Sequence, residues 1–417
     1  DNTPLDFHSG KLGDYTREHE LQQIEKLKAA RARLDRFDPA DLDAQEKLSL
    51  EITGWFLDDM IRQASFERSG YRVNQISGVT VDLPQFLTDM HQVKSAKSAE
   101  RYVSRLREFG RVLEESRARV EADRAAGVTP PDFIIAKAVT VMRNFIDKGP
   151  EGSALVTTLP AKLESIEGLD EADRKAILEQ ATAAVREQVI PGYERMIALF
   201  EDMAKTATHD AGIWRIPQGE AIYAAALRSN TTTDMTAEEI PELGLSAVER
   251  IEGEMDAILD AQGLTEGTVA ERARQLAGDP AHLFPNNDEG RQQMLDYLVE
   301  LNGKVMSRAG EFFITLPPQP LEIVRVPEYS QDSSAGGYYS SPALDGSRPG
   351  RFYINQKNTA DNPRWSLPTL LYHEAAPGHH FQISASQLIE DVPLLRKMSP
   401  FTAFTEGWGL YAERIAA

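Results

Sequence analysis

Residues Leu371–Gln382 read Leu-Tyr-His-Glu-Ala-Ala-Pro-Gly-His-His-Phe-Gln. Three of the eight histidines, His373, His379 and His380, lie within eight positions, and Glu374 directly follows the first. Neutral imidazoles are metal ligands, and a carboxylate beside them can take up and release protons. This combination is typical of a hydrolytic metal site, and we expect the fold to be organised around it.

The charge and composition of the chain exclude several classes of partner and site. Its 417 residues carry 45 Lys and Arg against 65 Asp and Glu, a net charge of -20. Such a surface repels nucleic-acid phosphates and anionic lipid headgroups, and no apolar run approaches the roughly 18 residues of a membrane span. There is no cysteine, so any metal must be held by histidines and carboxylates.

Hydrophobic periodicity predicts a mainly α-helical protein with a small mixed β-sheet in its C-terminal third. From Phe312 to Asn355 the helical period disappears, and three runs separated by Pro- and Gly-rich turns read as strands. The predicted helices are 14–36, 41–68, 98–126, 132–147, 170–188, 190–206, 219–228, 236–261, 267–277 and 287–309, and the predicted strands are Leu321–Val326, Gly336–Ser340 and Arg351–Asn355. We predict a helical region, 1–310, that forms the wall of a cleft, and a part, 311–417, that holds the sheet and two metal-bearing helices.

The spacing of the histidines departs from the familiar His-Glu-x-x-His zinc motif, in which histidines at i and i+4 share one helical face. Position i+4 from His373 is Pro377. On a regular helix His379 would point about 120° away from His373, and His380 would lie about 10 Å further along the axis. Because proline removes a helical hydrogen bond, a two-residue bulge at Pro377-Gly378 would bring His379 to the second ligand position. Without that bulge neither histidine suits one metal ion together with His373, and the motif fails. The sequence alone does not decide whether His379 or His380 is the second ligand.

A third ligand is expected from the next helix, which we predict to begin at Ser399-Pro400 with serine as the N-cap. Glu406 and Glu413 share one face of this helix, and we favour Glu406 as the ligand because its Thr-Glu-Gly-Trp surroundings indicate close packing. A carboxylate buried beside aromatic residues is costly unless it is paired or bound to a metal. Gly407 and Gly409 would let the helix approach its neighbour closely.

These motifs carry a resemblance to a known family. The run His373–Gln382 followed by Thr-Glu-Gly-Trp-Gly-Leu-Tyr-Ala-Glu at Thr405–Glu413 resembles the bacterial family called domain of unknown function 885. Softer matches occur along the rest of the chain, at Asn74–Gly78, Tyr102–Leu106, Gly127–Pro131, Gly219–Tyr223 and Asp345–Gly350. The resemblance places the chain among zincin-like metallopeptidases with a gluzincin-type site.

The resemblance implies a role for each residue of the site. His373, His379 and Glu406 would be the ligands of Zn²⁺, and Glu374 the general base. His380 and Glu413 would lie just outside the ligands, His380 as a substrate-facing or supporting group. In related peptidases an edge strand pairs with the substrate backbone, and the best match for that strand is the segment Gly336, Gly337 and Tyr338.

We therefore expect zinc-dependent hydrolysis of short peptides. Two alternatives remain: a zinc hydrolase of non-peptide amides or esters, and a catalytically silent binding protein of the same fold. The chain ends eleven residues beyond Glu406, inside a predicted helix, so we expect a truncated chain that lacks substrate-gripping residues found in related peptidases. Export is slightly favoured over a cytoplasmic location, since many members of the resembled family are exported.

Overall fold

The protein, here a computed structural model, is described for residues 10–328, 330–332, 334–398 and 401–417. It confirms the prediction of a mainly helical chain with a small mixed sheet near the C-terminus. The chain divides into two compact units. One comprises the segment that ends at Phe37 together with Met60–Ile222, and the other comprises Asp38–Asp59 with Tyr223–Ala417. The predicted boundary near residue 310 lies within the second unit, and the cleft wall expected of residues 1–310 stays a prediction.

The first unit is helical. Two of its helices also extend into the second unit, namely α2 and α11. In chain order, the α-helices from Arg17 to Thr231 are α1 Arg17–Leu34, α2 Ala44–Ala64, α3 Val79–Gln85, α4 Ala96–Ala125, α5 Asp132–Ile146, α6 Gly149–Gly152, α7 Ala154–Thr157, α8 Leu159–Glu164, α9 Glu171–Ala184, α10 Ile190–Ala204 and α11 Gly219–Thr231.

The core of the first unit lies between α4, α5, α9 and α10. Tyr102 and Phe109 of α4 and Tyr193 and Phe200 of α10 are fully buried. Each such side chain contributes roughly 1.5–3 kcal/mol through loss of apolar surface to water. The tyrosine hydroxyls are satisfied, since Tyr102 donates to the carbonyl of Leu155 at 2.8 Å and Tyr193 to that of Thr80 at 2.7 Å.

A buried histidine in this core makes the stability of the protein depend on pH. His91 is 5% exposed, its Nε2 donates to the carbonyl of Ser98 at 3.1 Å, and its Nδ1 accepts from Arg105 at 2.6 Å. Burial, together with the positive charge of Arg105, lowers the pKa of His91 from 6.5 to about 4. In the unfolded chain the imidazole keeps its ordinary pKa of about 6.5 and takes up a proton first.

We expect the free energy of unfolding to fall by about 3 kcal/mol from this group as the pH is lowered from 7 to 4. The contribution is fully present above pH 6.5 and is lost as the pH falls through the folded pKa of about 4. His91→Gln keeps a donor and an acceptor but does not titrate, so its urea-unfolding free energy should fall less over this range. His209→Gln, which alters a side chain that is 82% exposed, serves as the control. Equal pH dependence in His91→Gln and the wild type would contradict this account.

The second unit combines helices with the sheet. Its further elements are α12 Glu239–Ala261, α13 Val269–Ala277, α14 Asp288–Ala309, β1 Leu321–Arg325, β2 Gly337–Ser340, β3 Gly350–Ile354, α15 Leu367–Glu374, α16 His379–Gln387, α17 Leu394–Lys397 and α18 Thr402–Ala416. Across the described ranges, no helix is long and apolar enough to cross a bilayer.

The sheet is mixed, with strand order β1-β3-β2. β3 pairs parallel with β1, Ile323 lying opposite Phe352, and antiparallel with β2, Tyr339 lying opposite Phe352. β3 is the most buried strand, and β2 lies at an edge of the sheet. The family resemblance implies an edge strand at Gly336, Gly337 and Tyr338.

The core of the second unit joins α14, β3 and α15. Its buried residues are Phe284, Met294, Leu298, Phe352, Ile354, Leu367, Leu371 and Ala375. Because α14 contributes Met294 and Leu298 to the same core as the sheet, it belongs with the C-terminal part of the chain. This core fixes the position of α15, which carries the first of the clustered histidines.

Candidate metal centre

The stretch from His373 to His379 is an interruption between two helices rather than one bulged helix. α15 ends at Glu374, and α16 begins at His379. Ala375, with ψ near -110°, and Gly378, with ψ near -132°, both leave the helical region. A Cβ on Gly378 would lie 1.9 Å from the carbonyl oxygen of His373, so only glycine lets the chain fold back over the end of α15. The predicted two-residue bulge is therefore wrong, although the predicted effect of Pro377-Gly378, which is to return His379 to His373, is what the structure shows.

His373, His379 and Glu406 converge, and one ligand atom from each lies within 4.8 Å of the others. Nε2 of His373 is 3.2 Å from Glu406 Oε2, and Nε2 of His379 is 3.7 Å from Glu406 Oε1. The two imidazole rings are 4.6 Å apart and nearly perpendicular. The two histidine side chains are 18% and 12% exposed, whereas that of Glu406 is 53% exposed. The cluster therefore has a buried side made of imidazoles and an open side at the carboxylate.

α18 brings Glu406 to this place through two close contacts. A Cβ on Gly409 would lie 2.6 Å from Cε1 and 2.8 Å from Nε2 of His373, so the helix packs directly on the imidazole. Trp408 donates its indole N–H to the carbonyl of Pro377 at 2.8 Å, which ties α18 to the turn between α15 and α16. A Cβ on Gly407 would meet no described atom within 4 Å, so of the two glycines only Gly409 has the predicted packing role. The predicted start of this helix at Ser399-Pro400 lies outside the described residues.

Glu413, on the same helix, contacts the other nitrogen of the first histidine. Its Oε1 lies 2.7 Å from Nδ1 of His373. A carboxylate in this position accepts the Nδ1 proton and leaves Nε2, which faces Glu406, as a lone-pair donor. The hypothesis that Glu413 supports a ligand thus has a direct hydrogen bond behind it.

The titratable groups in and beside the cluster have pKa values that shift in different directions. Burial alone would lower the pKa of His373, but its hydrogen bond to Glu413 and the charge of Glu374 raise it overall. Burial and the neighbouring His373 lower the pKa of His379. Burial raises the pKa of Glu374 to about 7, against the opposing influence of His373 and with a further rise from Glu406.

The donor set fits a zinc ion. Catalytic zinc sites use three protein ligands drawn from histidine and carboxylate and keep one position open. The 3.2 Å between His373 Nε2 and Glu406 Oε2 is close to the roughly 3.4 Å that separates two ligand atoms on a tetrahedral ion with bonds of about 2.1 Å. In such a site His379 and Glu406 would complete the three ligands, and the exposed side of Glu406 would leave room for the open position.

The edge strand β2 passes close to this cluster. The ring of Tyr339 lies 6.5 Å from the ring of His379. A Cβ on Gly337 would lie 2.9 Å from the ring of Phe352 and 3.2 Å from Leu370, so this glycine lets the strand pack against α15. Gly336 accepts a hydrogen bond from the backbone N–H of Asn355 at 2.8 Å, and Tyr338 stacks on Tyr353. These contacts hold β2 in place as the strand at one edge of the sheet that the described residues form.

His380 points away from the three converging side chains. It is 5% exposed and contacts the hydroxyl of Tyr339 and the carbonyl of Gln319. Burial lowers the pKa of His380 to about 4. Among the described residues the metal-ligand cluster contains His379 and not His380. His380 therefore supports the sheet next to the cluster rather than facing it.

The close packing of Gly409 on His373 should make the zinc affinity sensitive to a larger residue at position 409. In Gly409→Ala the new methyl group must displace the imidazole that Glu413 and Glu406 hold in place. We expect the zinc affinity to fall by about 10- to 100-fold, the range found when groups that orient a ligand are lost.

Gly407→Ala is the matched control, because it makes the same change two residues away on the same helix where the Cβ has open space. It should bind zinc like the wild type and be more stable by up to about 1 kcal/mol through helix propensity. Isothermal titration of both variants with zinc measures the difference. Equal affinities for the two variants would show that Gly409 does not set the position of His373.

Sequence reasoning did not single out two residues that hold the site together, Trp408 and Tyr339. The signal for Tyr339 was present, because side chains alternate along a strand and one of the adjacent Tyr338 and Tyr339 must face the neighbouring helix. No local pattern indicates that the Trp408 indole reaches the Pro377 carbonyl, since this contact joins residues 31 positions apart.

Comparison with known proteins gives a family and a fold. The profile of the family described as "Bacterial protein of unknown function (DUF885)" matches residues 3–417. A crystal structure of the "putative lipoprotein" from Colwellia psychrerythraea is 30% identical with a TM-score of 0.92, over 98% of this chain and 71% of that one. A "putative lipoprotein of unknown function" from Shewanella oneidensis is 17% identical with a TM-score of 0.63, over 98% of this chain and 72% of that one, and shares the fold. No curated protein matches significantly. The chain therefore belongs to the DUF885 family of bacterial proteins of unknown function.

Proposed function

We propose that this protein is a zinc-dependent peptidase of the zincin-like, gluzincin type that hydrolyses short peptides. The observation that carries the proposal is the convergence of His373, His379 and Glu406 beside the buried Glu374. Two imidazoles and one carboxylate, with a second carboxylate free to act as a base, form the donor set of hydrolytic zinc sites.

His373, His379 and Glu406 would hold the ion, which when bound supplies a Lewis acid that polarises a carbonyl and makes a water molecule more acidic. Glu413 would keep His373 in the tautomer that presents Nε2. Glu374, whose pKa burial raises to about 7, is suited to take a proton from the attacking water and deliver it to the leaving amine. The same carboxylate thus serves as base in one step and as acid in the next.

The position of β2 supports a peptide as the substrate. An extended peptide can add to the edge strand of a sheet through main-chain hydrogen bonds. Gly336, Gly337 and Tyr338 would provide this edge. The ring of Tyr339, on the same strand, lies 6.5 Å from the ring of His379. A scissile bond held by such pairing would lie beside the three ligands, whereas a non-peptide ester or amide would make no use of the strand.

We also propose an extracytoplasmic location. Both similar structures carry names that describe lipoproteins, and lipoproteins are attached to membranes from outside the cytoplasm. Fractionation of cells that produce the native protein tests this, and recovery in the cytoplasm alone would contradict it.

A panel of dipeptides and oligopeptides tests the proposed activity. The zinc-loaded natural protein, at the length at which the cell makes it, should cleave members of the panel and lose this activity when a chelator removes zinc. Cleavage of simple esters or amides but of no peptide would identify the non-peptide hydrolase instead. Tight zinc binding with no turnover of either class would identify a silent binding protein.

A further inference from the structure

His380 joins the helix that carries His379 to the sheet. Its Nε2 lies 3.1 Å from the carbonyl oxygen of Gln319, so this nitrogen carries the proton and donates it. Nδ1 is then unprotonated and accepts the hydroxyl proton of Tyr339 at 2.9 Å. Both ring nitrogens are used, and the imidazole is held between the segment before β1 and the edge strand β2.

The space around this hydrogen bond is filled. A Cβ on Gly350 would lie 2.6 Å from His380 Nδ1 and 2.6 Å from the Tyr339 hydroxyl, so the bond lies directly over the first residue of β3. The two rings meet edge to face with centroids 5.7 Å apart. The filled space leaves this hydrogen bond little room to shift, so it holds His380 at the start of α16 against Tyr339 of β2.

The contact borders the proposed zinc ligands. His379 precedes His380 in α16, and its ring lies 6.5 Å from that of Tyr339. We infer that His380 is a positioning residue that, through the Tyr339 hydroxyl, holds the substrate-binding edge of β2 at a set distance from His379. This inference rests on the proposed function, because it assigns the hydrogen bond to substrate alignment rather than to metal binding.

Loss of the Tyr339 hydroxyl should therefore weaken peptide binding without removing the metal. In Tyr339→Phe the ring stays in place and the hydrogen bond to His380 is lost, and the loss of a hydrogen bond corresponds to about a five-fold change in an equilibrium constant. We expect KM for an oligopeptide to rise by about five-fold, kcat to stay within about two-fold and zinc content to be unchanged.

Tyr297→Phe is the matched control, since it deletes the hydroxyl of a half-buried tyrosine in the same unit that contacts none of these groups. It should leave KM unchanged. The double variant Tyr339→Phe/His380→Phe should raise KM no more than the larger single effect, because both changes break the same bond. Additive effects, an unchanged KM in Tyr339→Phe or loss of zinc from it would overturn the inference.

Hydrogen exchange of the β2 amides provides a readout that needs no activity. Tyr339→Phe should speed exchange of these amides by about five-fold relative to Tyr297→Phe, since the strand loses its link to α16. If the wild type cleaves no peptide, the proposed function fails while this exchange difference still decides whether His380 positions the strand. Equal exchange in the two variants would overturn the inference.

Discussion

Replacing Glu374 with glutamine is expected to lower the rate of peptide hydrolysis by about 1000-fold while zinc stays bound. General acid–base catalysis contributes roughly 10²–10⁴-fold to a rate, and glutamine keeps the size of the side chain but cannot carry the proton. Glu374 is 9% exposed and next to His373 in sequence, yet it is not one of the three converging ligands. Its removal should therefore act on the proton transfer and not on the metal.

The measurement is kcat/KM of the zinc-loaded variant together with its zinc content by atomic absorption. Glu390→Gln makes the same chemical change at an exposed position in the same unit and should behave like the wild type. A rate within two-fold of wild type for Glu374→Gln would remove this residue as the base. Loss of zinc from the variant would mean that the carboxylate is a ligand.

His379→Ala is expected to abolish stable zinc binding, whereas His380→Ala keeps it. In the proposed site His379 provides one of three ligands, and its loss should lower the affinity by more than roughly 100-fold, the upper range for residues that only orient a ligand. His380 contacts Tyr339 and Gln319 instead, so His380→Ala should weaken packing and leave the three ligands in place.

Competition with a chromophoric chelator measures both affinities, and circular dichroism shows that each variant is folded. The two histidines are adjacent, so the pair is its own control for the effect of removing an imidazole from this helix. Loss of zinc from His380→Ala and its retention in His379→Ala would contradict the assignment of His379.

Helices and strands were predictable because their side-chain periods differ and the chain changes from one to the other near residue 312. The strands β1, β2 and β3 lie within or next to the runs expected for them. The predicted domain boundary at 310 was placed at that change from helical to strand periodicity. The compact units of the fold depend on packing instead. α14 packs with the sheet because its residues Met294 and Leu298 lie in the same hydrophobic core as β3.

The interruption at Pro377-Gly378 was predictable as a break but not in its form. Proline and glycine together indicate that a helix cannot continue, and they do not tell which way the chain turns. The direction depends on Gly378 lying against the carbonyl oxygens of Tyr372 and His373, a contact that exists only once α15 has formed. The candidate ligands were found from residue chemistry, whereas their convergence depends on this turn.

The two glycines of α18 also show which contacts the sequence alone cannot predict. The sequence does not distinguish Gly407 from Gly409 as a site of close packing. Only the packing of the helix decides which of them contacts His373. Helical spacing placed Glu406 and Glu413 on one face of the predicted helix. The 2.7 Å hydrogen bond between His373 and Glu413 depends on how α15 and α18 pack.

The most direct test is an anomalous difference map at the zinc absorption edge from crystals grown with zinc. We expect one peak in the second unit, bound by Nε2 of His373, a ring nitrogen of His379 and a carboxylate oxygen of Glu406. Glu413 should stay on Nδ1 of His373. A peak on His380, a peak away from these residues, or no peak at a saturating concentration of zinc would rule out the proposed zinc site.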